Sequence, residues 1–131
     1  MRLLRSIGAV VVGYAIFALS AVAFFLIVRQ PAHRDAPFGI MLGSIVVGVI
    51  AALLGGYVAA WIAGRRFAAH GIAVAGVLAL GAALSLASTL GHGAIWSQLA
   101  ALLLMAPSAA LGGWMRGRQT QRVRRSPSPD V

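Results

Sequence analysis

From Phe67 to Met115 the chain runs 49 residues without an Asp, Glu, Lys or Arg. One crossing of bilayer hydrocarbon takes about 20 residues of helix, so this run is too long for one span and right for two. Gly91-His92-Gly93, two conformationally free residues around a polar one, is the natural break. Ile7 to Val28 and Phe38 to Ala63 are also uncharged, over 22 and 26 residues. In hydrocarbon every backbone N–H and C=O must be satisfied within the segment, so runs of this kind are helices. The sequence therefore predicts an all-α bundle of four transmembrane helices in two antiparallel hairpins, at about 7–28, 38–63, 71–90 and 94–115. The membrane domain is residues 1–115. Residues 116–131, basic and ending in Ser126-Pro127-Ser128-Pro129, are expected to form a disordered tail.

Met1-Arg2-Leu3-Leu4-Arg5 and the apolar residues behind it also suit a secretory signal, with Ala21-Val22-Ala23 as the cleavage site. The apolar run continues through Phe24-Phe25-Leu26-Ile27-Val28, beyond the 7–15 or so residues of a signal's apolar region. It reads as an uncleaved span.

Composition agrees with this class. Hydrophobic residues make up 60% of the chain and charged ones 10%, against about 25% charged in soluble domains. The eleven basic residues are all Arg, and the acids are Asp35 and Asp130, for a net charge of +9. On a soluble chain that balance would suggest nucleic acid. Here the arginines cluster between apolar runs, which is the orientation signal of a membrane protein. Arg2, Arg5, Arg65, Arg66, Arg116, Arg118, Arg122, Arg124 and Arg125 fall on one side, against Arg29 and Arg34 on the other. Positive loops stay cytoplasmic, so both termini are expected inside and the Arg29–Pro37 loop outside. Tyr57, Trp61 and Trp114 mark the inner interface and Trp96 the outer one. Arg in place of Lys, with abundant Ala and Gly, suits a GC-rich bacterial genome, hence a bacterial cytoplasmic (inner) membrane. Arg116, Arg118, Arg122, Arg124 and Arg125 are placed to contact anionic lipid there. They would equally serve as a topology signal alone.

The second predicted helix has the clearest pattern. Ser44, Gly48, Ala52, Gly56, Ala60 and Gly64 recur every fourth residue, with 51, 55, 59 and 63 beside them. Such a smooth face lets helix backbones approach closely in lipid. Gly71, Ala75, Ala79, Ala83, Ala87 and Gly91 offer a matching stripe on the third helix. Leu54-Gly55-Gly56-Tyr57 recurs as Leu111-Gly112-Gly113-Trp114, which would fit a duplicated hairpin.

Familiar chemistries are missing. No proposed span contains an ionisable Asp, Glu, Lys or Arg, which weighs against ion- or proton-coupled transport. Asp35 and Asp130 cannot form a catalytic pair, and Ser20, Ser44, Ser85, Ser88 and Ser108 lack a His–acid pair to activate them. With no Cys, thiolate metal sites and disulfides are excluded. His33, His92 and Asp35 share the outer side without a further ligand, so no metal or cofactor is expected. Gln98 is the most polar residue within a span. Pro107 removes one helical hydrogen bond and frees the Leu103 carbonyl.

The segment Leu54 to Arg66, with Gly13-Tyr14 early in the first helix and Gly112-Gly113-Trp114 late in the fourth, resembles small four-helix bacterial membrane proteins of uncharacterised function. The resemblance implies the architecture and no activity. Small multidrug-resistance transporters match in length and span count, yet their membrane-embedded Glu in the first helix has no counterpart here. The glycine-to-Arg motif of small fluoride channels is also missing. Two functional readings remain. The first is a non-enzymatic structural or accessory protein working through helix contacts with itself or a membrane-protein partner. The second is a small oligomeric pore or facilitator for an uncharged or lipid-like solute, lined by Ser44, Ser85, Ser88 and Gln98. Membrane lipids are partners in both, and nucleic acid in neither.

Overall fold

A computed structural model of the chain describes residues 2–29, 36–90 and 95–125, and all its regular elements are helices. They are α1 (Arg2–Val28), α2 (Phe38–Ala63), α3 (Phe67–Thr89), α4 (Trp96–Ala100), a π-helical turn (Ala101–Met105) and α5 (Ala106–Arg125). The last three run on as one fourth span, so among the described residues four helical stretches are long and apolar enough to cross a membrane. The break expected at Gly91-His92-Gly93 lies outside the described residues, between Leu90 and Ile95.

Three features differ from expectation for local reasons, and α1 already begins at Arg2 rather than Ile7. α3 starts at Phe67 rather than Gly71. Gly64, at φ 70°, adopts the left-handed cap that a glycine takes without strain and donates its N–H to the Ala60 carbonyl at 3.1 Å. The chain then needs only Arg65 and Arg66 to turn back. The fourth span contains the π-helical turn immediately before Pro107. Proline has no N–H for the Leu103 carbonyl and its ring crowds that oxygen. The ladder shifts by one residue, and Ala106 N–H bonds to Ala101 O instead. Finally, residues 116–125 are helical, not disordered. Arg and Gln are good helix formers, and no Gly or Pro falls between Arg118 and Arg125; residues 126–131 lie outside the described residues.

α2 is the centre of the bundle. It packs most extensively against α1 and α5 and less against α3, while α3 also packs on α5; among the described residues α1 does not reach α5. Ser44, Gly48, Ala51, Ala52, Gly55, Gly56, Ala59, Ala60 and Ala63 are all buried. The two small-residue stripes serve two neighbours. A Cβ on Gly13 of α1 would lie 2.6 Å from the Gly55 carbonyl oxygen and 2.9 Å from Ala59 Cβ. On the other stripe, a Cβ on Gly56 would collide with the Ala109 carbonyl, and one on Gly48 would lie 2.8 Å from Met105 Sδ. Gly64 lies outside this face, exposed at the cap.

The stripe expected on α3 departs from the interface. Gly71 is buried, but Ala83 and Ala87 are exposed, and the buried set is His70, Gly71, Val74, Leu78 and Ala82. A spacing of four drifts about 40° per step around a helix, so three steps carry Ala83 away. The two Leu-Gly-Gly tetrads pack in reversed order. Gly55 meets its hairpin partner α1 and Gly56 meets α5, whereas Gly112 meets α2 and Gly113 meets its own partner α3. The matching positions are therefore not equivalent in the bundle.

Candidate functional site

Because α1 lies along α2 and leans only lightly on α3, the two diverge away from the arginine-rich end. The gap is a side cavity of about 570 Å³, a size typical of small-molecule sites. α1 contributes Tyr14, Phe17, Phe24 and Phe25, the last two ring to ring at 5.5 Å and nearly perpendicular. The floor is Leu78 and Met105, the latter seated on Gly48, where any side chain would displace it. Below, Val74, Ala52, Ala59 and Ala109 close the core.

The polar groups gather at the end of the cavity remote from the arginine-rich end. Gln98 is 2% exposed. Its amide nitrogen donates to Ser85 Oγ at 3.4 Å, and Ser97 Oγ donates to its carbonyl oxygen at 3.0 Å. Ser44 lines the cavity and donates to the Met41 carbonyl at 2.8 Å. A primary amide carries two donors and an acceptor oxygen, so the amide and the hydroxyls together place both donors and acceptors at this end of the cavity. Among the described residues no charged side chain lines the cavity. An ion would lose its solvation here without a counter-charge.

Of the four polar residues read from the sequence as a solute lining, Ser44, Ser85 and Gln98 come together. Ser88 is exposed and donates to the Ser85 carbonyl at 2.8 Å. Ser97 completes the network and escaped the sequence reading. Its only signal was adjacency to Gln98, and adjacent helical residues ordinarily face apart. Ser20 and Ser108 donate to carbonyls of their own helix, at Ile16 and Leu104.

The opposite end carries most of the arginines. Arg5 Nε donates to the Ile62 carbonyl at 2.7 Å, capping α2 from α1. Tyr57 donates to Gln119 Oε1 at 2.7 Å, and the half-buried Arg116 lies over the Tyr57 ring at 5.7 Å. Arg118 stacks on Trp114 at 4.5 Å. Arg122 and Arg124 are exposed, and the Arg125 side chain lies outside the described residues. His70 is buried, with Nδ1 donating to the Arg66 carbonyl at 3.2 Å. Among the described residues no group of three His, Cys, Asp or Glu could hold a metal. His33, Asp35 and His92 lie outside them. In comparisons with known proteins, no family model, no curated protein and no solved structure matches the chain.

Proposed function

We propose that this chain is a non-enzymatic multi-pass protein of a bacterial inner membrane whose working part is the side cavity. There it takes up an uncharged, lipid-like molecule laterally from the outer leaflet. The observation that carries this reading is Gln98, a nearly inaccessible amide that joins Ser85 and Ser97 at the polar end of an otherwise apolar cavity. A hydrogen-bonding head would sit on this network, and an apolar tail would run between Phe17 and Met105 toward the closed core. The packing below Met105 supports a binding site within one chain rather than a pore through it.

The accessory reading, through helix contacts with itself or a partner, would need an outward face other than the small-residue one. The small-residue face of α2 is consumed inside the chain by α1 and α5, leaving the Ser44-to-Ala60 ridge no surface to offer a partner. Outer-leaflet access follows from the arginine count, which directs the arginine-rich end to the cytoplasm.

Photolabelling with a diazirine-bearing long-chain alcohol, in neutral liposomes containing the protein, tests the proposal. Label is expected on α1 between Tyr14 and Leu26 and on the fourth span between Trp96 and Met105. Gly81 lines the cavity, and a Cβ there would meet nothing within 4 Å. Gly81→Leu should fill the space and suppress labelling while favouring the helix by roughly 1 kcal/mol. Gln98→Leu should weaken labelling by the alcohol but not by the matching alkane. Label spread evenly over outward residues such as Leu19 and Leu84, unchanged in Gly81→Leu, would overturn the reading.

A further inference from the structure

The arginine-rich end holds a second cavity, of about 500 Å³, between the first turn of α3 and one stripe of α5. Trp114, Gly117, Arg118 and Gln121 form that stripe, at the helical spacing that puts them on one face. Arg66 and the Phe67–Ala69 turn form the other wall. Two guanidinium groups and an amide therefore border one small space, and among the described residues no carboxylate lines it. The imbalance is general at this end, where Asp130 is the only acid beside nine arginines and lies outside the described residues. The charge must be met by anions from outside the chain.

We propose that this groove binds the phosphate of an anionic phospholipid headgroup. Arg66 and Arg118 would supply charge-assisted hydrogen bonds, with Trp114 holding the Arg118 guanidinium over its ring, 4.5 Å from the centroid. Gln121 would reach the glycerol side of the headgroup. The first turn of α3 adds to this, since no side chain caps it and it contains no acid. The position selects a lipid over free phosphate. The groove opens at the level where the apolar spans end, with Trp114 at the boundary as an interfacial anchor. Ile72 and Leu111, one helical turn toward the bilayer on the same two helices, are exposed and provide an acyl path. A zwitterionic headgroup would bring a cation to a site that has no acid to receive it.

Trp114 itself can report occupancy. In the full chain carrying Trp61→Phe and Trp96→Phe, it is the only tryptophan left. The protein is reconstituted in phosphatidylcholine bilayers, and quenching by brominated phosphatidylglycerol is compared with quenching by brominated phosphatidylcholine. Phosphatidylglycerol should quench more strongly at equal mole fraction. Arg66→Gln with Arg118→Gln should lower its relative binding constant roughly thirtyfold. Arg122→Gln with Arg124→Gln removes the same charge outside the groove and should leave most of the preference. Both double variants should elute like the parent in neutral detergent, which separates lost binding from lost folding. Equal quenching by the two lipids overturns the site. So does equal loss in the two double variants, which would mean diffuse attraction. Displacement by inorganic phosphate at constant ionic strength would show a free-anion site and overturn the lipid assignment.

Discussion

A methyl group added at Gly56 would land on the carbonyl oxygen of Ala109, and one at Gly112 on that of Leu53. These are backbone contacts, so no side chain can rotate away. Neighbouring Leu54 is exposed toward lipid. Gly56→Leu should therefore abolish the folded protein, exceeding the roughly 1–3 kcal/mol usual for overpacking. Leu54→Gly should cost only about 1 kcal/mol of helix propensity. The measurement is the fraction of monodisperse protein after heating in mild detergent, and equal losses would place α5 elsewhere. Within α3 the same logic separates two glycines. Gly71 lies against Gly113, whereas a Cβ on Gly76 meets nothing within 4 Å. Gly76→Ala should stabilise the protein by about 0.5–1 kcal/mol and Gly71→Ala should destabilise it.

Among the elements, the fourth span connects the two ends of the molecule through its π-helical turn. That turn carries one more residue than an α-turn and rotates everything before it by about 100° relative to a continuous α-helix. Gln98 precedes the turn and Ala109 follows it, so the turn decides whether both face inward together. Its cause is Pro107, whose missing N–H leaves the Leu103 carbonyl without its usual donor. Pro107→Ala restores a backbone donor to the ladder and should relax the turn to α-helix, swinging Gln98 off Ser85. The chain has no cysteine of its own, so a Ser85→Cys, Gln98→Cys pair reads this directly. Oxidation should cross-link the pair readily with Pro107 in place and poorly once Pro107→Ala is added. Equal cross-linking would mean that the π-turn has another origin.

For the whole molecule, charge and apolar length act together. Arg5, Arg65, Arg66, Arg116, Arg118, Arg122 and Arg124 lie at one end of the bundle, and the polar network of Gln98 lies toward the other. On the proposed orientation, which keeps the positive end in the cytoplasm, a reporter at the C-terminus should be cytoplasmic and one at residue 33 exported. An exported C-terminus would reverse the orientation and place the side cavity in the inner leaflet. The α5 extension from Arg116 to Arg125 stands about 15 Å beyond the apolar part at 1.5 Å per residue. It holds Arg118 and Gln121 as a rigid rail over the first turn of α3, which a flexible tail would not do.

The amino-acid sequence by itself determined the four apolar helices, their alternating direction and the gathering of arginines at one end. These follow from one-dimensional quantities: the length of uncharged runs and the solvation of backbone and charge. The small-residue pattern of α2 was equally visible, because one helix dictates which residues share a face. Which helix that face meets depended on the three-dimensional arrangement. The α3 stripe was the partner that the sequence suggested, yet its four-residue spacing drifts off the contact line, while Gly13, Ala109 and Gly112 provide glycine or alanine at the crossing points. Gln98 and Ser85 were recognisable as polar, but their meeting depends on the rotation introduced before Pro107 and on the gap left where α1 diverges from α3. The groove around Arg66 and Arg118 likewise arises only where α5 continues past Met115 alongside α3. Sites of this kind are juxtapositions between separate helices, and a pattern along one helix does not encode the distance to another.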